Sequence, residues 1–254
     1  DHPEWAWPRD NGTSYGQLCW TNASLVKFIT GRVRGYLAES PKAKLISISI
    51  NDNGAYCQTD EELAVYAEEG GSKMAPVLRA VNQIAAALEP EYPHVLFSTL
   101  AYEFAKATPN TTRPRHNVVI RLCADGCDGG IAISGQANIC RANFLDWFGI
   151  LGDRDRTGGL HVWNYAANFE SYLQPYPNYW AMIDDIKWFA VNKTACNDSR
   201  WLGCLRRWCV APGEQCFGAV QPGAYRLRLL LCILRLDALV RRGCRGLPEE
   251  RWPS

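Results

Sequence analysis

Four short apolar runs, set between stretches of helical periodicity, constrain this chain more than anything else in it. They span residues 45–50 (LISISI), 94–102 (HVLFSTLAY), 117–123 (NVVIRLC) and 160–165 (LHVWNY). Each has the length and β-branched or aromatic content of a strand. Asn22 is placed to cap a helix running to residue 39, with Leu25, Phe28, Ile29, Val33, Tyr36 and Leu37 at helical spacing. A short acidic helix is expected over 60–69. Ser72 opens a longer one to residue 88, whose face is Val77, Leu78, Val81, Ile84, Ala85 and Leu88. Further helices are expected over 141–151 and 179–191. Residues 1–22 are rich in Pro, Trp, Gly and Asn without periodicity and read as a loop. Strands alternating with helices predict parallel βα units joined by right-handed crossovers.

Four such units are half of an eight-stranded barrel. A half barrel leaves two sheet edges open. Either a doubly wound sheet closes the fold, or further units lie upstream of Asp1. The ends of the runs carry the chemistry. The first stops at Asn51-Asp52-Asn53-Gly54, the second at Tyr102-Glu103, and the fourth at Trp163-Asn164-Tyr165, while the third carries Arg121. In parallel α/β barrels the C-terminal lip of the strands is where active sites are built. These residues therefore point to one shared site.

Composition excludes little. Hydrophobic residues make up 47% and charged residues 21%, ordinary values for a folded soluble chain. A net charge of +1 gives no case for nucleic acid or an anionic membrane surface. No apolar stretch approaches the roughly 20 residues of a transmembrane helix. The average conceals a break, however. Residues 1–193 carry 17 Lys+Arg against 21 Asp+Glu, and residues 194–254 carry 10 Arg against 5 acids. The tail also holds 6 of the 11 cysteines. Within it, residues 227–240 have the pattern of an amphipathic helix, suited to a membrane surface, a partner or the body of the fold. The tail reads equally as translated GC-rich non-coding or frame-shifted DNA. We divide the chain into a domain over 1–192 and an unassigned tail over 193–254.

Five Asn-x-Ser/Thr sequons, at Asn11, Asn22, Asn110, Asn192 and Asn197, together with the cysteine count, suggest the secretory pathway. The N-terminal residues Asp1-His2-Pro3-Glu4 are too polar for a signal peptide.

An ordered set of short motifs carries a family resemblance. His2-Pro3-Glu4, Gln17-Leu18-Cys19-Trp20-Thr21-Asn22, the segment 48–57 (ISINDNGAYC), Thr99-Leu100-Ala101-Tyr102, the segment 113–118 (RPRHNV) and Val162-Trp163-Asn164-Tyr165 followed by Asn168-Phe169 occur in that order. Over residues 1–192 the chain resembles the domain-of-unknown-function family 4838. That family looks like a glycoside-hydrolase-type (β/α)8 barrel, often placed after an α-glucuronidase-like domain. The resemblance implies a partial (β/α)8 TIM-like barrel of about four βα units, beginning partway through the barrel, with an irregular Cys/Arg-rich tail. Two departures stand out. Where the family shows a Cys-x-Cys-x-x-Cys cluster, this chain has Cys57, Thr59 and Glu62, so a zinc site lacks its roughly four ligands. Cys57 is then a plain thiol or half of a disulfide. Where the family shows Trp-Asp-Tyr, this chain has Asn164, which can hold a sugar hydroxyl but cannot act as acid or base.

The resemblance suggests a carbohydrate substrate or ligand, with no cofactor and no metal. Glycoside hydrolysis needs two carboxylates flanking the scissile bond. Asp52 is the first candidate and Glu103 the second, although an Asn-Asp-Asn-Gly string also makes an ordinary turn and Glu103 also suits a solvated loop. Asn51, Tyr102, Arg121, Trp163, Asn164 and Tyr165 are the candidate substrate contacts. Arg121, inside an apolar strand, requires an acidic partner or a ligand carboxylate such as a uronate. Trp163 and Tyr165 share a face, where they either stack on sugar rings or fill a barrel interior. Tyr172, Tyr176, Tyr179 and Trp180 form a lid or a packed corner. His116 and His161 lie at or near strand starts and read as structural. Two functions remain: a glycoside hydrolase, or a carbohydrate-binding relic with its acid–base pair incomplete.

Overall fold

In the computed structural model, the description covers residues 2–9, 14–151, 159–165 and 167–192. The tail over 193–254 and the sequons at Asn11 and Asn197 lie outside them. Four parallel strands, β3 (Leu45–Ser47), β4 (Leu96–Ala101), β5 (Val118–Cys123) and β6 (Leu160–Trp163), form one sheet in the order of the sequence. Register runs through Ile46↔Phe97, Thr99↔Ile120 and Leu122↔Val162. Among these strands the order never reverses, whereas a doubly wound sheet has a reversal at its switch point. A four-stranded parallel sheet flanked by helices is compatible with an arc of an α/β barrel.

The helices follow from their sequences. In α1 (Ala23–Glu39) the Asn22 side chain accepts hydrogen bonds from the amides of Ser24 and Leu25, closing two of the orphan donors of the first turn. In α2 (Asp60–Glu68) the Thr59 hydroxyl accepts from the amide of Glu62 in the same way. The third helix, α3 (Met74–Leu88), buries Val77, Leu78, Val81, Ile84, Ala85 and Leu88. They meet Phe97, Val118, Ile120 and Leu122 of the sheet in one core with Phe144 and Trp147 of α4 (Ile139–Leu151). Each fully buried Leu, Ile or Val in such a core contributes about 1.5–3 kcal/mol. The last helix, α5 (Tyr179–Asn192), joins the core through Phe189 and Trp188.

Three expectations are corrected. Residues 1–22 are not merely a loop, because β1 (Ala6–Arg9) and β2 (Ser14–Leu18) pair as an antiparallel hairpin. Pro8 and the register shift beside it break the alternation by which a strand is recognised. The first parallel strand ends at Ser47 rather than Ile50, although the Ile48 amide still donates to the Ser98 carbonyl at 2.8 Å. Ser72 does not cap α3. Lys73 occupies that position, and the Ser72 hydroxyl donates instead to the Ala107 carbonyl at 2.7 Å. Of the two states left open for Cys57, the disulfide is realised, with Cys19. A second disulfide joins Cys127 to Cys140, while Cys123 is a buried thiol. His116 Nε2 lies 2.5 Å from Glu89 Oε1, a contact that ties the start of β5 to the end of α3.

Candidate functional site

The hairpin determines where the first strand end points. Gln17, almost wholly buried, donates through Nε2 to the Asn51 and Asn53 carbonyls, and its Oε1 accepts from the Asn51 amide. The side-chain amides of Asn51 and Asn53 both donate to the Gly16 carbonyl. The Cys19–Cys57 bridge closes the other side of this turn. Asp52 is thereby presented outward on a rigid support, and Asn51 acts as a strut of that support.

Asp52 meets the second strand end directly, since the Tyr102 hydroxyl donates to its Oδ1 at 2.9 Å. Burial, with the Asp52 bond behind it, pushes the Tyr102 phenol well above its ordinary value. The next residue, Glu103, is exposed and has φ +48°, the left-handed region that a non-glycine residue seldom adopts. Strain of this kind persists only where the surroundings impose it, and it clusters at ligand sites.

Residues on alternate positions of β5 and β6 face the same side. Arg121 is half-buried, with its guanidinium carbon 5.8 Å from the centroid of the Trp163 ring. This is a cation–π arrangement. The Tyr165 phenol is pushed up by burial first, and then by the negative field of Cys123, Asp125, Asp52 and Glu103. Asp52, Glu103 and Asp125 therefore all act on one phenol. Asn164 turns its Oδ1 back to the Tyr165 amide at 2.9 Å. The structure thus gathers Asp52, Tyr102, Glu103 and Tyr165 at one lip, with Arg121 and Trp163 stacked on the adjoining strands.

Three groups escaped the sequence reading. Asp125 lies two residues beyond β5, as Asp52 lies two beyond Ile50, and that repeated offset was the available signal. Lys106 pairs with it, Nζ to Oδ2 at 2.5 Å, and also donates to the Asp125 carbonyl. Asp125 Oδ1 is buried with no hydrogen-bond partner among the described residues. Burial, helped by Asp125, raises the neighbouring Cys123 thiol to about 12, which makes it a poor nucleophile. The third is Asp185, buried on α5. Its place four residues after Ala181 and four before Phe189, on the apolar face, was the sign that it points inward.

Asp185 lines a small pocket with Ala124, Asn164, Tyr165, Tyr176 and Ala181. A Cβ at Gly129 would overlap the Tyr176 ring, so glycine there lets the phenol form the pocket wall. Asn178 ties α5 to the lip by donating to the Tyr165 carbonyl at 3.1 Å. Beyond it, Phe169, Tyr172 and Trp180 are exposed. Phe169 bridges edge-on to Tyr165 and Tyr172, so the rings lead away from the lip as a chain. Among the described residues no three His, Cys, Asp or Glu side chains converge to hold a metal ion. Nor is any described helix long and apolar enough to cross a membrane.

No curated protein and no solved structure matches this chain. A family model does match, over residues 1–199, and by it the chain belongs to the family described as Domain of unknown function (DUF4838).

Proposed function

We propose that the lip is a carbohydrate site, that the sheet is an arc of a (β/α)8 barrel, and that the chemistry is glycoside hydrolysis with Asp52 as one of the two carboxylates. The observation that carries this reading is the Tyr102–Asp52 hydrogen bond, which joins two strand ends beside Tyr165. A carboxylate held on a rigid turn, a phenol that fixes its oxygen and aromatic rings alongside suit one half of the carboxylate pair that glycoside hydrolysis needs. Glu103 and Asp125 are the lip's other carboxylates. Arg121 suits a ligand carboxylate such as a uronate.

Asn164 supports a second reading, in which the site binds sugar without turning it over. An amide there can hold a hydroxyl but cannot exchange a proton. One experiment separates the two. Purified protein is incubated with aryl glycosides and aryl uronides, and release of the aryl alcohol is followed with wild type and Asp52→Asn. Hydrolysis that falls by about 10³-fold or more in the variant, at unchanged melting temperature, supports the enzyme. Retained turnover refutes the role of Asp52. Binding without hydrolysis in the wild type favours the second reading.

We also propose a secreted glycoprotein. Two disulfides and the exposed Asn110 of an Asn-Thr-Thr sequon support that location. Peptide mapping of native material without reduction should recover both cross-linked pairs and a glycan on Asn110; free thiols at all four cysteines would refute it.

A further inference from the structure

The pocket at the β6 end of the lip is lined by a buried acid, Asp185, on α5. Asp185 is 4% exposed. Its Oδ1 accepts from the Ile133 amide at 2.6 Å, the one hydrogen bond this side chain accepts among the described residues. A buried carboxylate oxygen facing a cavity is costly unless something donates to it. Burial, with Asp184 adding to it, raises this carboxyl to about 6, the direction expected of an acid that lacks donors. The free space is about 20 Å³. That accommodates one water molecule or one small hydroxylated carbon, and not a sugar ring.

The surroundings limit what can enter. Ala124, Ala181, Tyr165 and Tyr176 are among the lining residues, and Asp128 is a second acid there. Two acids disfavour an anionic group, and the apolar lining accommodates a methylene. Tyr165 lines the pocket and stands at the β6 strand end, so it is the residue a ligand would share between the pocket and the lip.

We propose that this pocket is a subsite for the exocyclic hydroxymethyl group of a neutral hexose unit, with Asp185 Oδ2 accepting its hydroxyl. The proposal rests on the carbohydrate reading above and narrows it. The unit bound here carries a CH₂OH rather than a carboxylate, so any uronate carboxyl belongs elsewhere on the lip. Asp185 is a specificity residue in this scheme and takes no part in bond breaking.

The test is ligand-observed NMR titration of the full-length protein with methyl glucoside, galactoside, mannoside and xyloside. The last lacks the hydroxymethyl group. At least one hexoside should bind about tenfold or more tightly than the xyloside, the usual worth of a hydrogen bond to a charged acceptor. Asp185→Asn, which keeps an acceptor for the Ile133 amide, should reduce that preference while leaving xyloside affinity and the circular dichroism spectrum unchanged. Ala181→Val fills the pocket without touching the acid and should abolish the preference. Equal binding of all four sugars by the wild type overturns the subsite and leaves the carbohydrate reading standing, as does a preference that survives both variants. Failure of the wild type to bind any of the four overturns the carbohydrate reading, and the subsite with it.

Discussion

Glu69, at the end of α2, and Asp185, on α5, are both buried carboxylates, and their surroundings drive them in opposite directions. Glu69 is 0% exposed yet accepts five hydrogen bonds, two each from Thr111 and Thr112 and one from Arg79 at 2.6 Å. Burial alone would push its carboxyl up. The donors on Thr112, Thr111 and Arg79 outweigh that and hold it below the usual carboxylate range. Asp185 is nearly as buried, accepts one bond among the described residues and is raised. Burial sets the cost of a charge, and the number of donors decides whether that cost is met. The first region is a structural node that asks for nothing more. The second retains capacity for a donor, which is the signature of a binding position rather than of a scaffold.

The comparison can be broken at several points. Glu69→Ala removes the acceptor of five bonds and leaves Arg79 without its buried partner, so stability should fall by about 3 kcal/mol. For a chain of this size that is a drop of roughly 10 °C in melting temperature by calorimetry. A loss under 1 kcal/mol would mean that Glu69 is not the node of this region.

The two acids should also show opposite pH dependence. Glu69, with its folded value depressed, contributes stability above the unfolded carboxylate range that is lost as pH falls. Asp185 binds its proton more tightly when folded, so its penalty is absent below about pH 4 and grows until pH reaches about 6. Asp185→Asn should therefore stabilise the protein at pH 7 by on the order of 2 kcal/mol and change little at pH 3.5. Denaturant melts at the two pH values would read the difference; equal effects at both would remove Asp185 from its buried, donor-poor state.

Tyr102→Phe tests the lip itself. The hydroxyl it removes bonds an exposed carboxylate, so the cost should stay below about 1 kcal/mol while ligand binding or turnover suffers. The smallest effect belongs to Glu91, where Arg34 Nε donates to both carboxylate oxygens at 3.0 Å with both side chains nearly half exposed. Solvent screens such a pair, and Arg34→Ala should change stability by less than about 0.5 kcal/mol.

Much of this architecture was legible from residue order. The apolar face of α3 emerged residue for residue, because a 3.6-residue repeat has one geometric solution. The Asn22 cap was equally plain, since a side-chain acceptor ahead of an apolar periodic run has a local role. The convergence of strand ends was anticipated as well, and Asp52 and Tyr102 meet. The hairpin was not legible, since its strands lack alternation. Nor was the work of Thr111 and Thr112, which read as part of a sequon while their hydroxyls hold Glu69, 42 and 43 residues away in sequence.

The sequence by itself determined the alternation of strands and helices, the helix faces and caps, and which residues stand at strand ends. All of these depend on neighbours within a few positions, where chain geometry is nearly invariant. Only the tertiary structure decided the partners: Cys19 with Cys57, Gln17 with the Asn51–Asn53 turn, Lys106 with Asp125, and Asp185 with a single donor and a cavity. Those are long-range contacts. Whether a buried acid is sated like Glu69 or left wanting like Asp185 is a count of donors that the fold brings from distant segments, and no local pattern contains it.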